Sequence, residues 1–325
     1  MTIQNIPEKP QFSSLPPAYA INLDEFGAIS LSGEDQTKYL QGQVTCDVSD
    51  TNSHTLLNGA HCNAKGKVFS VFRFINKDGK HLLLQSKSCL EASLKELQKF
   101  GVFSQVTIEQ DQNLRFLAFA GEQIKEALST QFSRMPDSLN PVVEIDSTTL
   151  VYIAGAERRY LAIDTADNIK TLISALSLPI YSNAIWTLHE ILSGFPVMTS
   201  ETESEFVPQM LNVQAIDGIS FTKGCYLGQE TVARMQYLGK NKRSLYALNG
   251  NASVEVKVGS IIEKQLGDNW RRAGEVLTTY LADNSEIALQ AVLSSDITSS
   301  DKLRLKGDET SQFSLLPLPY TLNEE

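Results

Sequence analysis

The chain has 325 residues, of which 42% are hydrophobic and 20% charged, with a formal net charge of −10 at pH 7 and a pI near 5.0. That length accommodates two or three domains of about 100–150 residues, each with its own core. The acidic balance disfavours non-specific adhesion to polyanions, which rests on an excess of Lys and Arg, and no stretch approaches the roughly 20 apolar residues that span a bilayer.

Residues 1–17 mix prolines with scattered polar side chains and lack a basic start followed by an apolar run. An extended N-terminal arm and a cytoplasmic location are expected. From Ala18 to Gly33 apolar and polar residues alternate around Asp24-Glu25-Phe26-Gly27, which predicts two short strands joined as a hairpin. A short helix follows through Leu40 and stops at Gly42. KVFSVFRFI (Lys67 to Ile75) and HLLLQS (His81 to Ser86) flank an Asp78-Gly79 step, a hairpin signal. In CLEASLKELQKFG, Leu90, Leu94 and Leu97 stand at helical spacing and Gly101 ends the run.

A second cycle repeats this order. Strands SQVTIEQ and LRFLAFAG precede a helix from Glu122 to Phe132, strands between Val142 and Thr165, and a helix from Ala166 to Leu176. Strands arriving in pairs, without strict strand–helix alternation, indicate an α+β fold of two related antiparallel units. No Rossmann or Walker signature is present. After Arg243 regularly spaced short strands with Gly, Asn and Asp turns predict a C-terminal β-barrel.

Cys46, Cys62, Cys89 and Cys225 form no CxxC pair, and neither His61 nor His189 completes a local zinc set; reduced, unpaired thiols are expected. The local basic candidates are GKNKRS (Gly239 to Ser244), Arg234, Arg271 and Arg272, and such a run is more often a solvated turn than an RNA surface. AIDGISFTKGCYLGQETVARMQY reads as a strand ending near Phe221, a turn at Lys223-Gly224, and a helix starting between Leu227 and Gln229. Cys225 then lies just before a helix N-terminus, beside Lys223, where amide dipoles and positive charge favour a thiolate. It is the candidate nucleophile, electron donor or soft-metal ligand; an ordinary buried cysteine is the competing reading.

Lys223-Gly224-Cys225-Tyr226, Gly228-Gln229-Glu230 and Ala233-Arg234 resemble the signature of the YgfZ family, folate-binding tRNA-modifying proteins related to the glycine-cleavage T-protein. YLQGQVTCDV, HCNAKGKV, GFPV, NWRRAGEVL and PLPYTL extend the resemblance over nearly the whole chain. It implies two α+β units, interleaved or consecutive, over residues 18–240 and a β-barrel over 241–325, arranged as a ring around a central channel that binds tetrahydrofolate. It also implies a supporting role in tRNA thiomodification through iron–sulfur enzymes, notably the methylthiotransferase acting on adenosine, with direct tRNA contact disfavoured. A folate-dependent aminomethyl transferase and a non-catalytic folate-responsive scaffold are the alternatives.

On this resemblance Cys225 is the reactive thiol and Lys223 its tuning charge, with Gly224, Tyr226, Gly228, Gln229, Glu230 and Arg234 ordering the turn and helix. Trp186 matches a tryptophan of the folate cleft, and Phe26 stands where the family often has another; either ring can stack on a pterin. Two positions depart from the T-protein. Its pterin-anchoring glutamate corresponds to Leu192, with nearby Glu190 expected to point elsewhere, and its catalytic aspartate corresponds to Ser70.

Overall fold

The computed structural model describes residue 6, residues 8–237 and residues 241–322. Gly239 and Lys240 of the basic GKNKRS run therefore lie outside the described residues.

Strands Val68–Lys77 and Lys80–Ser86 form the expected hairpin. Asp78 and Gly79 sit at φ 51° and 75°, the left-handed pair a two-residue turn requires. The expected hairpin between Ala18 and Gly33 does not form. Tyr19–Asn22 and Phe26–Ser32 are both strands, but the first pairs with Leu114–Ala120 and Ile180–Tyr181, the second with Lys80–Ser86 and Thr107–Gln110. Sequence adjacency misleads here because Phe26 through Leu31 are all buried. A strand apolar on both faces seeks a central place in a sheet, whereas a half-exposed strand would settle for the nearest edge. Thr107–Gln110 and Leu114–Ala120 part in the same way, one into each sheet.

The chain thus weaves between two sheets. One has the order Ile180–Tyr181, Tyr19–Asn22, Leu114–Ala120, Arg159–Thr165, Thr148–Ile153, Val142–Ile145; the other runs Leu56–Cys62, Val68–Lys77, Lys80–Ser86, Phe26–Ser32, Thr107–Gln110. Helix Lys87–Gly101 packs Leu90 and Leu97 on Ile29, Phe72, Phe74 and Leu83 of the second sheet. Helix Ala166–Leu176 sets Ile169 against Leu117, Phe119 and Tyr160 of the first. The opposite faces of both sheets share one core with helix Asn183–Ser193, hereafter the cleft helix, through Ile185, Trp186, Leu188 and Ile191. Tyr280, Ala282 and Ala288 of the C-terminal barrel enter the same core.

That barrel closes in the order Arg243–Asn251, Ile287–Ser294, Asn269–Leu281, Ile261–Leu266, Leu303–Leu305, Gln312–Leu315, so no strand edge is left open. The helix expected over Glu122–Phe132 is confined to Ile124–Leu128. The strand expected to end near Phe221 does not form; in its place stand short 3-10 turns, Pro208–Leu211 and Val213–Ile216, set by Asn212 and Asp217 at φ 57° and 56°. Asn212 fixes this segment to the barrel, its carboxamide donating to the Leu245 carbonyl (2.8 Å) and accepting from the Leu245 amide (3.2 Å). The N-terminal segment is tied down: the Lys9 amide donates to Asp283 Oδ2 (2.8 Å), the Asp283 amide to the Lys9 carbonyl (2.8 Å), and the Tyr280 hydroxyl to the Pro10 carbonyl (2.7 Å).

A buried ionic triad joins these bodies. Arg73, from the second sheet, donates through Nη2 to both oxygens of Glu190 on the cleft helix, at 3.1 and 2.8 Å. Arg159, from the first sheet, donates to Glu190 through Nη1 and to Ser193 Oγ through Nη2 at 3.1 Å. Gln290 of the barrel donates to the backbone carbonyls of Glu190 (3.2 Å) and Phe195 (2.8 Å) and accepts from the Val197 amide (3.0 Å). Removing one partner of a buried pair leaves an uncompensated charge. Glu190→Ala is expected to lower stability by about 3–5 kcal/mol, read from urea unfolding; a loss below about 1 kcal/mol would mean that solvent already screens the triad.

Candidate functional site

Where the two sheets, the cleft helix and the barrel meet lies a cleft of about 810 Å³, lined among others by Phe26, Arg73, Trp186, Glu190, Phe195 and Tyr280. Phe26 and Trp186, singled out from the sequence, are brought together edge to face at 6.2 Å between centroids, and Phe116 backs Phe26 at 5.6 Å. Both rings are mostly packed, 8% and 4% exposed, so their margins form the wall. The Arg73 guanidinium lies 3.7 Å from the Phe195 centroid, and that of Arg159 lies 4.6 Å from Trp186, close enough for cation–π attraction. Burial pulls the Arg73 pKa down, Glu190 opposes that shift, and the neighbouring Arg159 charge adds to it.

The structure corrects the expectation for Glu190. Its side chain borders the cleft and is held by both arginines, because their fixed positions in the sheets decide where the carboxylate points. Leu192 is partly buried against the shared core and is not a cleft-lining residue. Ser70 is fully buried and donates to Ser93 Oγ (3.4 Å), which is 2.9 Å from His61 Nδ1; it does not line the cleft. Sequence reasoning missed Arg73, whose signal was an arginine between Phe72 and Phe74 in a strand buried on both faces. It also missed Gln85 and Asn183, which line the cleft and carry buried carboxamide atoms without a hydrogen-bond partner among the described residues.

Cys225 stands elsewhere. Residues 218–228 form an irregular loop, and helix Gln229–Tyr237 begins beyond the cysteine. The loop is clasped to two other segments. Lys223, 8% exposed, turns its ammonium to the carbonyls of Val44 (2.9 Å) and Cys46 (2.6 Å); burial lowers its pKa to about 8, while Cys46 and Asp47 act the other way. The Leu227 amide donates to the Gly42 carbonyl (3.0 Å), and Thr45 Oγ1 to the Gly218 carbonyl (2.6 Å). Gly228, at φ 83°, lies so near the Asn63–Gly66 turn that a Cβ would stand 2.5 Å from the Asn63 carbonyl oxygen. YLQGQVTCDV, HCNAKGKV and KGCYLGQE, distant in sequence, therefore form one surface feature.

Within it Tyr226 is buried, Cys225 and Gly224 are exposed, Gln229 is half-buried, and Glu230 and Arg234 are exposed on the helix. Nothing approaches the side-chain direction of Gly224 within 4 Å, which leaves room beside the thiol. Cys225 and its loop are not among the cleft-lining residues. One packed cluster nevertheless links the two places, since Val71, Phe195 and Met198 of the cleft wall share it with Cys62 and with Val232 of the helix after Cys225.

Two interleaved sheets followed by a closed barrel define the fold of the glycine-cleavage aminomethyltransferases. The crystal structure of glycine cleavage system aminomethyltransferase T from Bartonella henselae matches with a TM-score of 0.70 at 11% identity, over 94% of this chain and 86% of that one. The family model described as YgfZ, beta-barrel domain, matches residues 241–308. The tRNA-modifying protein YgfZ of Colwellia psychrerythraea is 54% identical over the full length of both chains. That of Photorhabdus laumondii is 40% identical over 97% of this chain and 96% of its own. The chain belongs to the YgfZ family of tRNA-modifying proteins.

Cys46, Cys62 and Cys89 are buried, and burial pushes the thiol pKa of Cys46 and of Cys89 up to about 12. A thiol-reactive disulfide reagent is therefore expected to modify one cysteine per native chain within minutes, and all four only after denaturation. Protection of Cys225 in a peptide map of the native protein would contradict the exposed loop.

Proposed function

We propose that this protein is a cytoplasmic folate-binding accessory factor that supports iron–sulfur enzymes of tRNA modification, such as the adenosine methylthiotransferase, with Cys225 as its reactive thiol. The observation that carries the reading is the cleft, a concavity of about 810 Å³ with Phe26, Trp186 and Arg73 in its wall, within an aminomethyltransferase fold. Its donor set fits tetrahydrofolate. The flat pterin finds aromatic margins and a guanidinium, and Lys9 and Lys87 line the cleft, where they can meet the carboxylates of the glutamate tail. When bound, tetrahydrofolate supplies nitrogens that carry one-carbon units.

The same residues favour an accessory role over aminomethyl transfer. A transferase needs a proton acceptor beside the reacting nitrogen, yet Ser70 is buried away from the cleft and Glu190 is occupied by two arginines. The exposed Cys225 loop offers a thiol to a partner protein instead, and the net charge of −10 suits action through proteins more than through the tRNA backbone.

Calorimetric titration with tetrahydrofolate under anaerobic conditions tests the first half. Binding is expected in the wild type and at least about tenfold weaker in Trp186→Ala, equivalent to roughly 1.4 kcal/mol; absence of heat with wild type would remove folate from the reading. Nucleoside mass spectrometry of tRNA tests the second half. Cells lacking the gene should lose methylthiolated adenosines and regain them with wild type but not with Cys225→Ser. Equal rescue by both would transfer the function from the thiol to the cleft or a partner surface.

A further inference from the structure

We propose that Arg73 reads the oxo edge of the pterin ring, so that the cleft selects 4-oxo pterins and rejects their 4-amino counterparts. The inference rests on the folate reading. Side chains of Val68–Lys77 alternate between the two faces of the sheet. Phe72 and Phe74 pack toward helix Lys87–Gly101, whereas Ile75 enters the core shared with the cleft helix and Arg73 reaches Glu190 on that helix. Leu84, the partner of Arg73 on the next strand, lies in the same shared core. Gln85, one residue on, pairs with Gly27, where a Cβ would meet Leu90 of helix Lys87–Gly101; its carboxamide therefore turns away from the cleft.

A guanidinium carries five N–H donors in a planar fork. In Arg73, Nη2 is directed at the two oxygens of Glu190. Nε and Nη1 have no hydrogen-bond partner among the described residues, and neither is fully buried, in contrast to Arg159 Nε, which is buried and unpartnered. Arg73 borders the cleft, so these are its open donors. The fork cannot swing away to find partners elsewhere. Phe195 covers one face at 3.7 Å from its ring centroid, and Glu190 fixes one edge. A rigid cationic donor thus stands 5.6 Å from the Trp186 centroid.

The acceptor beside it is already engaged, since Glu190 takes hydrogen bonds from Arg73 on both oxygens and from Arg159. Asp24 and Glu25 also border the cleft, but they are exposed residues. A ring lying against the margins of Phe26 and Trp186 therefore meets donors at the deep wall. The orientation that brings a carbonyl oxygen there gains a charge-assisted hydrogen bond. In a pterin that oxygen is the 4-oxo group. An amino group in its place sets donor against donor and leaves a desolvated guanidinium N–H without a partner.

Anaerobic calorimetric titrations with tetrahydrofolate and with tetrahydroaminopterin, in which an amino group replaces the 4-oxo oxygen, test the proposal. The wild type should bind tetrahydrofolate about ten- to a hundredfold more tightly, the range for a hydrogen bond to a charged group. Arg73→Lys keeps a positive charge beside Glu190 but removes the fork. It should lose most of the discrimination, chiefly through weaker binding of tetrahydrofolate, and its thermal melt shows whether it is folded. Should it not fold, the ratio measured on the wild type decides alone. Equal or tighter binding of the 4-amino ligand by the wild type, or discrimination retained in folded Arg73→Lys, would overturn the role of Arg73. Failure of the wild type to bind either ligand would instead overturn the folate reading, and this assignment with it.

Discussion

The Arg73–Glu190–Arg159 triad is the constraint around which the molecule is organised. Three charged side chains with almost no exposure are costly to bury, and only mutual pairing makes the arrangement tolerable. That pairing demands that a strand from each sheet and the cleft helix arrive in one register. Gln290 extends the demand to the barrel by holding the backbone at Glu190, Phe195 and Val197. A hydrophobic contact would allow sliding; a forked arginine with a carboxylate does not. The cleft inherits its shape from this fixed crossing, because Trp186 and Phe195 lie under the same guanidinium groups.

The thiol loop depends on a different kind of restraint. It has little regular structure, yet it is held by a buried ammonium on two carbonyls, by backbone bonds to the 42–45 segment, and by two glycines pressed against each other at Gly66 and Gly228. Backbone approach of this closeness needs residues without a Cβ. The result is an exposed cysteine on a well-anchored loop, which suits a group that must be presented to another molecule. Lys223, expected from its position in the chain to serve the thiol electrostatically, has its ammonium engaged with the loop's own supports. The cleft and the loop remain separate features joined by a common packed cluster.

Much of the local structure was legible. Helix Ala166–Leu176 and the Asp78-Gly79 hairpin follow from apolar periodicity and turn chemistry, and the short C-terminal strands from their turn spacing. The misplaced hairpin at Ala18–Gly33 and the absent strand before Phe221 share a cause. Alternation says which face of a segment is apolar, but not which distant strand covers it, and Asn212 and Asp217 at positive φ interrupt a stretch whose composition reads as extended. At the candidate site, the aromatic pair and the cysteine stood out by residue type. Arg73, Gln85 and Asn183 did not, since a polar residue within an apolar run has no meaning until its neighbours across the sheet are known.

By itself the sequence determined the acidic balance of charge, the mixed α+β character, the barrel after Arg243 and, through motif resemblance, the family. Those properties depend on local periodicity and on strings short enough to be read in place. Only the tertiary structure decided that the two sheets exchange strands, that Glu190 faces the cleft between two arginines, that Lys223 is a clasp, and that Cys225 and the cleft are different places. Each of these depends on contacts between residues far apart in the chain, and such pairing is settled by which buried charges and carbonyls find partners when the whole core closes.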